Sequence, residues 1–539
     1  MSRTPHVLLL SGLGPTYYAA SSMTGTLLDP DCADQLSRDY FHGLALDDLH
    51  YQGPQGPRPL LRRMHTGDPG AYLHLTTWTL ESVLTAHHIN YTLVPLPQVW
   101  PSGTLPKTPE CDLVLLSTTF IWNRSSLALL LTAIRQAHPD APIVLGGQYS
   151  NLKVDEILSG FPEVFGIVRG DGEAAVPALV DAVAGLGDFR SVPNLIFRGG
   201  DTLARNTFAY VDLDAHPSPV LPGLRPVVPY ESMRGCPFSC KFCSFPFASP
   251  QWRYKSADKI SSDWRVYARE HGTGHIQAYD STFTVPPRRM RELFDLLPGS
   301  GVTWEAFSRA NVIKTAVTVE QLLASHCTRL SFGFESMSDD VLTLMHKQVT
   351  AGANRRAAEL MTAGGLDFRA AFMVGYPGET SEQYRLTHDY LVHDYRGQFL
   401  LNVFSLMDET MPVWQDAEAL GLRIDDPDNP DFGWTHRGMD VACARQLMSY
   451  TLERVRWSSD RAMPLTWQQE FERPLLPHAG PNQNLWAEKL VERLAALPLL
   501  HPDPRDARPV LNQLLQQLRG IGVVVLKAGR EAMMTTAGA

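Results

Sequence analysis

Short apolar runs separated by amphipathic stretches set the rhythm of this chain. Val7–Ser11, Tyr91–Leu96, Asp112–Thr118, Pro142–Leu145 and Val164–Val168 are each nearly continuous in apolar residues. That is the pattern of parallel strands covered on both faces. Helical patterns lie between and after them, at Leu73–His87, Leu127–His138, Val154–Gly160 and Val176–Leu186. This alternation predicts a doubly wound α/β sheet. Asn194–Asn206 reads as a hairpin with a Gly-Gly turn. The proline-rich stretch His216–Pro229 reads as a linker.

A second alternation follows. Strands are predicted at Val228–Met233, His275–Tyr279, Thr303–Ser308, Arg329–Phe334, Phe368–Val374 and Phe399–Leu406. Helices are predicted at Ala257–His271, Pro287–Leu297, Val319–Ser325, Asp339–His346, Ala353–Ala363 and Ser381–Tyr395. Six strand–helix pairs imply a partial (β/α)6 barrel. Beyond it, Ala442–Arg456, Trp486–Ala496 and Pro509–Leu518 are amphipathic, so the C-terminal region is expected to be mainly helical. The divisions that follow are 1–190, a hairpin and linker over 191–227, 228–420, and 421–539. Tyr17–Arg63 fits no standard turn and is expected to cover a ligand. Tyr450, Trp457, Trp467 and Trp486 are expected in the core, with a pocket lining as the alternative.

At 539 residues the chain exceeds one ordinary domain, and 44% hydrophobic content is enough to bury several cores. A net charge of -10 disfavours a phosphate-backbone partner, and Arg62-Arg63, Arg288-Arg289 and Arg355-Arg356 are isolated pairs rather than a basic stripe. Val7–Leu10 is too short for a signal peptide's apolar region, and no stretch is long enough to span a membrane. The expectation is a soluble cytoplasmic protein with no nucleic-acid or membrane partner. Seven cysteines in such a chain point away from a disulfide framework.

Four strand ends on the predicted edge of the first sheet are small and polar: Ser11–Gly14, Ser117-Thr118-Thr119, Gly146-Gly147-Gln148 and Arg169–Glu173. Glycine admits a large flat ligand close to the backbone, and hydroxyls can bond its tail. Taken singly, each reads equally as an ordinary strand-to-helix turn. Cys236, Cys240 and Cys243 form Cys-x-x-x-Cys-x-x-Cys in "YESMRGCPFSCKFCSFP". Three thiolates suit three irons of a [4Fe–4S] cluster and leave the fourth open. Structural zinc would need a fourth ligand, and no Cys-x-x-Cys partner exists elsewhere in the chain.

The cysteine spacing, with Phe242 before the last cysteine, resembles the radical S-adenosylmethionine (SAM) superfamily signature. "GFESMSDDVLTLMHKQVT" and "GYPGET" resemble that family's later barrel elements. "VLGGQYSN" and "VRGDGEAAVPALV" are similar to the cobalamin-binding domain that precedes many radical SAM domains. The chain is thereby identified as a member of the cobalamin-dependent radical SAM methyltransferases. The fold implied is a Rossmann-like cobalamin-binding domain, a radical SAM partial barrel and a helical C-terminal region.

By this resemblance Cys236, Cys240 and Cys243 hold the cluster. Phe242 lies against the SAM adenine, Glu335 holds the ribose, and Ser308 or Arg309 approaches the SAM carboxylate. Asp280 is a further SAM contact. Ser117, Thr118, Thr119, Gly146, Gly147, Gln148, Gly170, Gly172 and Glu173 fall to cobalamin. The plain alternatives are that Glu335 and Asp280 serve helix N-termini and that Arg309 is a surface or salt-bridge residue. No Asp-x-His-x-x-Gly motif follows the first strand, which implies cobalamin without a histidine below the cobalt.

The reaction implied is methyl transfer from SAM, by way of methylcobalamin, to an unactivated carbon or phosphorus of a small-molecule precursor. A flavodoxin- or ferredoxin-type donor would supply electrons. Relatives that contract rings or close them oxidatively, and the tryptophan C2-methylating type that abstracts no hydrogen, are alternatives. A cobalamin sensor or an electron carrier would not need the barrel-end residues. A tRNA methylthiotransferase would need a basic module. No residue is singled out as a general base.

Overall fold

The computed structural model describes residues 5–12, 48–61, 74–100, 102–121, 123–200, 202–220, 223–313, 317–406, 410–425, 433–464, 474–501 and 503–526. Leu13, Gly14, Cys32, Trp467 and most of Tyr17–Arg63 lie outside them.

The N-terminal sheet runs in the spatial order Asn90–Pro95, His6–Ser11, Leu113–Ser117, Ile143–Gly146, Val164–Val168, Leu195–Gly199, Thr202–Arg205. The first five strands are parallel. Val7, Leu8, Leu9 and Leu10 of the central strand are all fully buried. Helices cover both faces, so alternate side chains enter different cores. The strand order reverses between His6–Ser11 and Leu113–Ser117, so a crevice opens where their carboxyl ends diverge. The predicted Gly-Gly hairpin forms and extends this sheet with two antiparallel strands.

The second sheet holds seven parallel strands in sequence order: Val227–Tyr230, His275–Ala278, Thr303–Ser308, Cys327–Glu335, Asp367–Val374, Gly397–Val403 and Ala462–Pro464. Its first and last strands do not pair, which leaves an open barrel. Helix starts are fixed by side-chain caps, as at Ser256, and by capping boxes at Thr318 and Thr380. The seventh strand was not expected. Its proline is tolerated because it sits on the sheet edge.

The described part of Tyr17–Arg63 departs from its expected role as a cover. Leu49–Gly53 and Gly56–Pro59 form a hairpin that pairs with Val523–Val525. Leu49, Leu60 and Leu61 then join a third core with the helices Pro481–Leu500 and Pro504–Gly520. Burying those leucines ties this segment to the C-terminal region. Tyr450 and Trp457 are exposed, so neither is a core residue. Among the described residues no helix is long and apolar enough to cross a membrane.

Candidate active site

The cysteine loop leaves the barrel after Val227–Tyr230 and is closed at its base by a two-residue ribbon, Met233–Arg234 against Arg253–Tyr254. Gly235 follows with φ +75°, and a Cβ there would lie 2.6 Å from the Gln251 carbonyl oxygen. Only glycine passes this point without a shift. Ser281 Oγ donates to the Gly235 carbonyl at 3.0 Å.

Asp280 braces the loop from below. Its Oδ1 accepts from the Ser232 and Met233 amides at 2.7 and 3.0 Å, and its Oδ2 from the Ser232 hydroxyl. Burial pushes its carboxyl up to about 6, against the pull of Arg289 and these hydrogen bonds. Asp280 was expected at SAM. The structure instead spends both of its oxygens on the strand end that launches the loop.

Cys240 is buried, while Cys236 and Cys243 are half-buried. Burial pushes the Cys243 thiol up to about 11, and the negative charges of Cys240 and Cys236 add to the shift. A thiol raised in this way stays protonated and ionises only when a cationic group binds it. Among the described residues no three His, Cys, Asp or Glu side chains converge tightly enough to hold one metal ion. A cluster binds each thiolate to a different iron and so takes a wider set. The donors present fit a cluster in number and chemistry.

Two predicted residues, Arg309 and Glu335, gather around this loop. Arg309 is buried with its guanidinium 3.8 Å from the centre of the Phe238 ring and its Nη1 3.8 Å from Cys240 Sγ. Its Nη2 donates to the Lys347 carbonyl, and its Nε is buried without a partner. It is therefore not a surface residue. Glu335 accepts from Lys347 Nζ at 2.9 Å, and that ammonium stands 5.3 Å from the centre of the Phe242 ring. Glu335 has φ +64°, an unusual conformation for a non-glycine residue. The next helix is capped by Ser338, not Glu335. A side chain at Gly333 would collide with both the Glu335 carboxylate and the Lys347 ammonium. Ser308 Oγ lies 2.8 Å from Thr284 Oγ1.

The "GYPGET" turn beside them is held from within. Glu379 is fully buried and accepts from the Gly375 amide at 2.7 Å, and burial pushes its carboxyl up to about 8. His436 Nδ1 accepts from the Gly378 and Gly438 amides at 3.2 and 3.0 Å, and its Nε2 donates to the Gly375 carbonyl at 3.2 Å.

At the edge of the first sheet, Gly147 has φ +102°, and a Cβ there would lie 2.7 Å from the Thr119 amide nitrogen. Gly146 makes only ordinary contact, and Gln148 opens the short helix Gln148–Leu152. Ser117 Oγ donates to Thr119 Oγ1 at 3.3 Å. Thr118 differs from its expected ligand role. It is fully buried, and its hydroxyl meets the Gly146 carbonyl and Ser150 Oγ at 2.8 and 3.0 Å. Gly170 packs under Phe208, and Gly172 has free space around it.

Glu173 also departs from its expected role: it faces the cysteine loop. Arg234 Nη1 donates to Asp171 Oδ1 at 2.8 Å and to Glu173 Oε2 at 3.1 Å, and Nη2 donates to Glu173 Oε1. Burial alone would raise both carboxylates, but Arg234 outweighs it and holds them below their usual range. Arg234, Asp171 and Lys347 were visible in the motifs but were assigned no role. Arg234 and Asp171 lie 63 residues apart, so no local pattern marks that pair, whereas Lys347 meets Glu335 within one quoted motif.

Residues 230–391 match a family model described as the Radical SAM superfamily. An uncharacterized methyltransferase of Pyrococcus horikoshii is 25% identical over 260 residues, covering 46% of this chain and 56% of that protein. An anaerobic magnesium-protoporphyrin IX monomethyl ester cyclase of Rubrivivax gelatinosus is 25% identical over 277 residues, covering 48% of this chain and 50% of that protein. The chain thus spans about half the length of these curated relatives. The solved structure of the radical SAM methyltransferase TsrM from Kitasatospora setae, with cobalamin and a [4Fe–4S] cluster bound, aligns with a TM-score of 0.52 and 16% identity, covering 79% of this chain and 82% of that one. Residues 230–391 are thus similar to the radical SAM superfamily, and the chain shares the fold of that solved methyltransferase.

Proposed function

We propose that this chain is a cobalamin-dependent radical SAM methyltransferase. It would move a methyl group from SAM to an unactivated carbon or a phosphorus of a small-molecule, natural-product-type precursor. The reading rests on one observation above all. The three-cysteine loop is tied through Arg234 to the Asp171–Glu173 turn at the carboxyl edge of the doubly wound sheet. A methyl carrier and a radical source must both reach one substrate, so their sites must adjoin. When bound, the three groups supply a nucleophilic methyl carrier at one site and a one-electron route to a 5′-deoxyadenosyl radical at the other.

The chain's own residues then have these tasks. Cys236, Cys240 and Cys243 hold the [4Fe–4S] cluster with one iron open to SAM. Arg309 and Lys347 supply positive charge in a buried setting, where it acts strongly on a carboxylate. Glu335 offers acceptor oxygens to ribose hydroxyls, Phe242 offers a ring face to adenine, and Ser308 offers a hydroxyl. Ser117, Thr119, Gly146, Gly147, Gln148, Gly170 and Gly172 form a small-residue edge for cobalamin. Electrons would come from an external flavodoxin- or ferredoxin-type donor, and the protein would work in the cytoplasm. Oxidative ring closure is a second reading, favoured by the cyclase relative, whose identity equals that of the methyltransferase.

Anaerobic reconstitution tests the proposal. The chain should take up about four irons and one cobalamin and consume SAM. Methyl transfer releases S-adenosylhomocysteine and adds one methyl mass to the substrate. Ring closure releases 5′-deoxyadenosine with no methyl gain. Fully loaded protein that leaves SAM intact under reducing conditions would refute both.

A further inference from the structure

The base of the cysteine loop carries an arrangement that a ribbon alone would not tolerate. Arg234 and Arg253 are direct cross-strand partners, and like charges so placed repel. Three carboxylates face them. Arg234 pairs with Asp171, Glu173 and Glu231, and Arg253 donates to both oxygens of Asp171 at 2.9 and 3.1 Å. Asp171 and Glu173 are buried, and both belong to the turn after Val164–Val168. That turn is further fixed by the Val211 amide donating to Asp171 Oδ2 at 2.8 Å and by Asn194 Nδ2 donating to the Asp171 carbonyl at 2.8 Å.

A second tie reaches the far side of the same loop. The Gly170 amide donates to Asn151 Oδ1 at 3.2 Å, while Asn151 Nδ2 donates to the Ala248 carbonyl at 3.1 Å. One turn at the sheet edge therefore grips the cysteine loop both before Cys236 and after Cys243. Displacing the turn displaces the loop, because separating them would leave the buried Asp171 and Glu173 carboxylates unpaired.

We propose that this double grip is a relay between the two sites. A flat ligand seated on the sheet edge sets the 170–173 turn, and Arg234 and Arg253, as positioning residues, pass that setting to the cysteine loop and so to SAM. The inference rests on the cofactor reading above. Coupling of this kind is reciprocal: each ligand changes the other's affinity by one common factor.

The test uses the full chain, reconstituted anaerobically, with its cluster oxidised so that no turnover occurs. The SAM dissociation constant is measured with and without aquacobalamin, and the aquacobalamin constant with and without SAM. The wild type should show the same factor in both directions, about fivefold or more. Arg234→Lys and Arg253→Gln should still take up iron and both ligands, with the factor reduced to near one. A merely structural role would weaken binding and leave the factor intact. A wild-type factor of one, or a factor unchanged in both variants, overturns the relay. Failure of the wild type to take up aquacobalamin overturns the cofactor reading instead. Should Arg234→Lys lose iron, Arg253→Gln decides, since Arg253 lies outside the cysteine-bearing segment.

Discussion

Gly147 leaves almost no freedom at the sheet edge. Its φ of +102° and the 2.7 Å approach of the Thr119 amide to a Cβ there act together. Gly147→Ala should cost about 1–3 kcal/mol, read as a lower denaturant midpoint at unchanged slope. Gly172 is the control. Its nearest neighbour to a Cβ is Leu80 Cδ2 at 3.9 Å, and its φ is not in the left-handed region, so Gly172→Ala should stay within about 0.5 kcal/mol. Equal costs at the two sites would remove the steric argument. The same contrast shows what single residues reveal before the structure. Cysteine spacing announces its chemistry because only soft sulfur donors serve the cluster. Glycines announce a close approach but not what approaches: Thr119 in one case, Phe208 in another. Thr118, Glu173 and Asp280 look like ligand contacts because a polar strand end reads alike whether it turns outward or in. Their inward partners, Ser150, Arg234 and Ser232, lie tens of residues away.

At the scale of elements, the long strands and helices were legible because each buries a stripe of matching period. Short pieces were not. Val523–Val525 and Ala462–Pro464 exist only through partners distant in the chain. The "GYPGET" turn shows the same dependence. Trp434 closes over Gly375, and His436 ties both ends of the turn. Inside it, Glu379 Oε1 has no partner. Burial favours the protonated carboxyl, so the contribution of Glu379 to native stability is greatest below about 4.5, the ordinary glutamate value. Stability is then lost as the pH rises toward about 8, where the buried group ionises. Glu379→Gln keeps the shape but not the charge. Its midpoint of unfolding should therefore fall less than that of the wild type across this window. Parallel curves for the two proteins would show that Glu379 is not the titrating group.

The whole molecule hangs together through one helix that serves two cores. Leu75–Ala86 buries Val83 and Leu84 in the N-terminal sheet's own core. Three residues into the same helix, Trp78 is fully buried in the core of the second sheet. Its ring meets Tyr267 and His271 of the helix Ala257–His271 edge-on, at centroid distances of 6.5 and 6.3 Å. The indole is thus an apolar peg alongside the charged grip of Arg234, and the two hold different parts of the interface. Removing the peg should loosen the docking of the sheets without unfolding either. Trp78→Ala deletes a large aromatic from a filled site, a change worth about 3–5 kcal/mol. Because Val83 and Leu84 keep the helix on its own sheet, the loss should fall on the contact between the domains. Limited proteolysis would then cut the proline-rich connection around residues 216–226 faster than in the wild type, while circular dichroism stays unchanged. If Trp78→Ala instead lost helix content at ambient temperature, or resisted cleavage like the wild type, the indole would not be what fastens the two sheets together.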